Sequence, residues 1–176
     1  RIRAIHGFFE AAKAYANDST PEPVNLRLKA MSGLFNGSKT LYVHANRAHE
    51  LIQVAEFKKA LQLKRVVIVG GYDAYLVPEV LKDQNIGGVL RRLHSLPVRP
   101  EDPVDLPYRI PKMLQDTGVL YCLDMGTGDM EVMNQRNLPF LAGTAVAYGL
   151  GYEEAVAAIS GNTAKLLGIA DRVGTL

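Results

Sequence analysis

With 176 residues, the chain has room for one domain of ordinary size. Apolar residues make up 48% and charged residues 22%, with a formal net charge of +2, a balance that excludes wholesale disorder. The densest basic run, Arg91-Arg92 with His94 and Arg99 behind it, is too thin a footprint for nucleic acid, and no apolar run approaches the roughly 18 residues of a bilayer span.

The first expected element is an amphipathic helix over residues 1–16, because Ile2, Ile5, Phe9 and Ala12 recur at helical spacing. The run Asn17-Asp18-Ser19-Thr20-Pro21 breaks it, and a second helix comes after Pro23 with Leu28 and Met31 inward, ending near Gly33 or Gly37. Leu41–Ala45 reads as a short strand, and Asn46 is placed to cap a helix whose apolar stripe is Ala48, Leu51, Ile52 and Ala55. Arg65–Val69 is β-branched without polar alternation, which predicts a strand buried on both faces and ended by Gly70-Gly71. The next helix carries Leu76, Val77, Val80 and Leu81 inward and is started or kinked by Pro78. Ile86–Leu90 is a third strand. A loop through Pro97, Pro100 and Pro103 leads to a helix capped by Asp105, lined by Leu106, Ile110 and Leu114, and closed by Gly118. Val119–Leu123 is the fourth strand, and helices are expected over 138–148, 152–159 and 162–167. The start without Met on a helical pattern, and the strand-like close Val173–Leu176, read as ends cut from something longer.

The reading is therefore one domain over 1–176: two leading helices over 1–37, then four strand–helix units over 38–176. Short apolar strands alternating with amphipathic helices imply a parallel sheet. A small doubly wound sheet and part of a (β/α)8 barrel both satisfy that pattern.

In either architecture, reactive side chains belong at the C-terminal ends of the strands. His44 stands at such an end, where an imidazole has little structural purpose, and Asp124 comes directly after the fourth strand. His6 and His49 read as solvated helix residues, and most Tyr, Phe and Met residues as core. Cys122, the one cysteine, lies in an apolar run and reads as a small buried hydrophobe. Gly70-Gly71-Tyr72-Asp73 has the form of a tight turn, with phosphate binding as its functional alternative. Zinc or a similar metal needs three or four ligands, and the chain has no His-x-His, no His-Glu-x-x-His and no Cys pair. No metal site is expected in this chain alone.

Several segments carry a resemblance to a known family. Leu41–Ala48 and Val66–Gly71 resemble strands five and six of imidazolonepropionase-like, metal-dependent amidohydrolases. Arg136–Phe140 with Ala147–Gly149, and Ser160–Gly174, are similar to that family's last barrel helix and return segment. The stretch Asn162–Gly168 matches its Asn-Pro-Ala-Lys-x-Leu-Gly pattern with Thr163 in place of Pro.

The resemblance implies a half barrel, strands five to eight, of an enzyme that hydrolyses C–N bonds in cyclic amides or small peptides. It implies a divalent metal in the parent, with His44 as its strand-five ligand and a metal-bound hydroxide as nucleophile. The strand-six histidine is missing, because that position falls on Gly70-Gly71. Asp124, with Asp129 next, is the candidate for the strand-eight acid that moves the proton. Substrate-binding residues are unassigned. The expected partners are a small-molecule substrate in the parent and further copies of the chain at open sheet edges, with no nucleic acid and no membrane. The expected protein is soluble, cytoplasmic or periplasmic, and the chain alone is expected to be inactive. A scaffold that has lost its catalysis and serves binding or assembly is the alternative; a doubly wound nucleotide-binding domain is the second.

Overall fold

The computed structural model describes residues 2–18, 22–91, 93–126 and 128–175. Two helices lead, α1 (Ile2–Asn17) and α2 (Leu26–Asn36), packed on each other. The Asn25 side chain accepts from the N–H groups of Arg27 and Leu28, and Gly37 closes α2 at φ 89°, where a side chain would be strained.

Four strands come next: β1 (Leu41–Ala45), β2 (Val66–Gly70), β3 (Gly87–Arg91) and β4 (Tyr121–Asp124). They form one parallel sheet in the order 1-2-3-4. α3 (Ala48–Leu61) joins β1 to β2. A 3₁₀ turn (Ala74–Leu76) and α4 (Pro78–Asp83) lead to β3, and α5 (Leu106–Thr117) leads to β4. After β4 come α6 (Asp129–Met133), α7 (Leu138–Ala147), α8 (Tyr152–Ile159) and α9 (Gly161–Leu167). A doubly wound sheet reverses its strand order at a switch point. This sheet never reverses, so each strand adds on the same side, as in part of a barrel.

The register sorts the side chains into two faces. Tyr42 pairs with Val67, His44 with Val69, Val69 with Val89, and Val89 with Cys122. On the opposite face Ala45, Val66, Ile68, Leu90, Tyr121 and Leu123 are buried with Leu51, Ala55, Leu81, Ile110 and Leu114 of the helices. Each such large side chain contributes about 1.5–3 kcal/mol by leaving water. The leading helices join this helical layer, with the His6 and Phe9 rings meeting Phe57 of α3 at 4.8 and 5.0 Å.

The inner face holds a smaller cluster, in which Val67 and Cys122, with Val89 and Leu120 beside them, pack on Leu166 of α9. A Cβ at Gly87 would collide with Leu166 and lie 3.0 Å from the Leu120 carbonyl oxygen, so this glycine makes room for the plug. The Tyr42 hydroxyl donates to the Leu166 carbonyl at 3.4 Å. α9 thus closes the inner face at the N-terminal ends of the strands.

Several local expectations need correction. Asn46 does not cap α3: Arg47 is the N-cap residue, and Glu50 accepts from the N–H groups of Asn46 and Arg47 at 2.8 and 2.9 Å. Ile52 turns outward, and the buried stripe of α3 is Leu51, Ala55, Lys58 and Leu61. Leu76 is 52% exposed, because the helix restarts at Pro78 and the expected periodicity slips. Asp105 is the N-cap of α5 but makes no side-chain capping bond. β2 is buried on both faces only through Ile68, since Val69 is half-buried. His6 is half-buried on Phe57 rather than solvated. Met130, Met133 and Phe140 are exposed rather than core. Val173–Thr175 forms no strand, while Arg92 and Leu176 lie outside the described residues.

Candidate functional site

The C-terminal ends of the four strands converge on the side of the sheet that α9 leaves open. A cavity of about 570 Å³ lies there, lined by His44, Asn46 and Arg47 after β1, by Val69 and Gly70 of β2, and by Leu90 and Arg91 of β3. Leu93, Ser95, Leu96 and Val98 of the next loop, Pro107 and Ile110 of α5, Tyr72, and Glu131 of α6 complete the wall. The lining is mixed, with His44, Asn46 and Arg47 on the β1 side, Arg91 and Glu131 on the β3 side, and apolar side chains between. His44 is exposed on the inner face and also borders a second, apolar cavity of about 390 Å³ against α1 and α3.

Asp124 ends β4, two strands away from β2 and three from His44 on β1, about 14 Å across at the usual strand spacing. Its partner is Arg91, the register neighbour on β3, with Nε 3.5 Å from Oδ2 and both side chains about a quarter exposed. Asp129 opens α6. The structure therefore places His44 in the cavity wall and holds Asp124 beside a cation, without bringing the two together.

The strand-six position has its own geometry. Gly70 has φ 116°, and a Cβ there would collide with the Asn46 side-chain oxygen and lie 3.0 Å from the Ala45 carbonyl. Gly71 has φ 68° and donates its N–H to the Ala45 carbonyl at 2.8 Å. A side chain is therefore crowded and strained at Gly70, and strained by the positive φ at Gly71. Beyond it lies a 3₁₀ turn of three residues, and the N–H groups of Gly71, Asp73 and Ala74 bond to the Ala45, Asn46 and Gly71 carbonyls. Among the described residues, no three His, Cys, Asp or Glu side chains are grouped to hold a metal ion. The described residues of this chain thus do not by themselves group to hold a divalent metal, and the Arg91 guanidinium lies beside Asp124.

The most developed polar assembly at the mouth was invisible in the sequence. Arg99 donates through Nη1 to both oxygens of Asp73, at 2.9 and 3.1 Å, through Nε to Asp102 at 3.2 Å, and through Nη2 to the Tyr75 hydroxyl at 3.3 Å. Tyr72 donates to Asp102 at 3.0 Å and accepts from the Val98 N–H at 3.2 Å. Asp73 is 3% exposed and also accepts from the Ala48 N–H at 3.1 Å. Burial pushes the Tyr72 and Tyr75 hydroxyls above their usual range, so both stay protonated. Arg99 and Asp73 are 26 positions apart with no shared periodicity, so no pattern in the sequence links them. His94, noticed only for its charge, pairs through Nε2 with the Thr144 hydroxyl at 2.7 Å.

No protein-family model matches the chain, and neither does any curated protein. Among solved structures, the chain is similar to an amidohydrolase from Thermotoga maritima MSB8, with a TM-score of 0.81 and 24% identity. The likeness covers 98% of this chain and 46% of that one, so the chain spans less than half the length of its structural neighbour. The fold is that of a partial (β/α)8 barrel, as in the matched part of that neighbour. Among the described residues, no helix is long and apolar enough to cross a membrane.

Proposed function

We propose that this chain is the C-terminal half of an imidazolonepropionase-like amidohydrolase barrel that cleaves C–N bonds in cyclic amides or small peptides, and that the half alone is inactive. The observation that carries this reading is His44, at the end of β1 and in the wall of the cavity, on a fold shared with an amidohydrolase. In this reading His44 faces the substrate or an ion held jointly with strands that this chain lacks, and Asp124, ion-paired with Arg91, is the acid after the last strand. The cavity takes a small molecule, and the free edges of β1 and β4 draw copies of the chain together.

The test is hydrolysis of a panel of cyclic amides and dipeptides by the complete barrel, by its His44→Ala variant, and by the 176-residue chain. Turnover by the complete barrel only, falling at least about a hundredfold in His44→Ala, is the expected result. A complete barrel that binds cyclic amides without turning them over would favour the second reading, a binding scaffold that has lost its catalysis. Two observations favour that alternative: the crowded backbone at Gly70 and the Arg91–Asp124 pair.

A further inference from the structure

The loop after β3 supplies Leu93, Ser95, Leu96 and Val98 to the cavity wall. Leu96 is 80% exposed and Val98 49%, so these apolar side chains stand at the mouth without a core to hold them. What fixes the loop lies one residue further on, at Arg99. Its guanidinium bonds within the loop to Asp102 and outside it to Asp73 and Tyr75, and it lies 5.7 Å over the Tyr72 ring. Through the second oxygen of Asp73 the chain of bonds continues to the Ala48 N–H at the start of α3. One side chain therefore ties together the loops that come after β1, β2 and β3. Pro97, Pro100 and Pro103 stiffen the strap between these anchor points.

The geometry points to Arg99 as a positioning residue that locks the 93–105 loop as the fixed outer wall of the cavity, with Leu96 and Val98 offered to the apolar part of a small ligand. The proposal rests on the reading that this cavity is the site. It adds that the shape of the site is set by a residue that never touches the ligand. Lysine cannot replace the arginine fully, because a single ammonium does not span Asp73, Asp102 and Tyr75 in one plane.

The chain carries its own control for the test. Cys122, the one native thiol, is 3% exposed beneath Leu166 of α9, and burial pushes it up to about 11, so it reports loss of α9 or of the whole fold and not movement of the 93–105 loop. A Ser95→Cys substitution places a second thiol in the wall. N-ethylmaleimide labelling, coupled to peptide mass mapping, reads the two sites separately. Labelling at position 95 is expected to be about tenfold faster in Arg99→Leu than with Arg99 intact, and intermediate in Arg99→Lys, with Cys122 unlabelled throughout. Asp73→Asn combined with Arg99→Leu removes the stranded carboxylate and is expected to label position 95 just as fast. An unchanged rate at position 95, or Cys122 becoming reactive in step with it, would overturn the proposal. Failure of the amide-hydrolysis assay would leave this result untouched, since labelling reads the loop alone.

Discussion

Tyr121 is buried in the helical layer with its hydroxyl unpaired among the described residues. Burial, with the Glu154 and Asp116 carboxylates nearby, holds that hydroxyl well above the usual tyrosine range. A buried, unsatisfied polar atom costs about 1–3 kcal/mol. Tyr121→Phe is therefore expected to raise the free energy of unfolding by about 1 kcal/mol with no change in the denaturant slope. A loss of stability in urea titration would mean that the hydroxyl has a partner. This residue was legible only as part of an apolar run, since a sequence does not say which way a phenol points. Cys122 was easier: apolar neighbours on both sides already implied a buried thiol, and it lies at 3% exposure. Arg99 was the hardest, because its worth depends on Asp73 and Asp102 arriving from two different loops.

At the scale of elements, the strands were readable because β-branched runs have few other uses, and β1 and β2 begin within a residue of where the pattern places them. The caps were not. Asx residues ahead of α3 and α5 suggested side-chain caps, yet α3 is closed from within by Glu50 and Asp105 makes no such bond. α6 and the 3₁₀ turns were missed, since three to five residues carry too little periodicity to register. The Glu50 bonds make a testable case. Accepting the Arg47 and Asn46 N–H groups holds its carboxyl below the usual range. The stability it contributes is present above the unfolded-state value and is lost as pH falls through the lower folded one. Glu50→Ala is expected to cost about 1 kcal/mol at pH 7. Below the folded value the two proteins should unfold alike in urea. A difference that stays constant into acid would show that packing rather than the charged cap is responsible.

For the whole molecule, strand–helix alternation left two architectures open, and the unbroken order 1-2-3-4 decides between them. Neither composition nor periodicity encodes that order; it depends on which side of the sheet each crossover returns to. The same order leaves β1 and β4 as edges. The Leu41 N–H bonds to Arg65, so Tyr42 and His44 turn their backbone groups away from β2. The Gly88 N–H bonds to the Leu120 carbonyl, so the backbone groups of Tyr121 and Leu123 turn away from β3, although both residues are buried, at 1% and 3% exposure. A half barrel, with edges that strands or copies must complete, is the central claim, and amide hydrogen exchange of the 176-residue chain across a concentration series tests it most directly. At low micromolar concentration, the amides of Tyr42 and His44, both exposed, should exchange at least about tenfold faster than those of Val67 and Val89, and should gain protection as copies pair at higher concentration. Protection of those two amides equal to that of Val67 at every concentration would mean that the chain covers its own edge, and the half-barrel account would be contradicted.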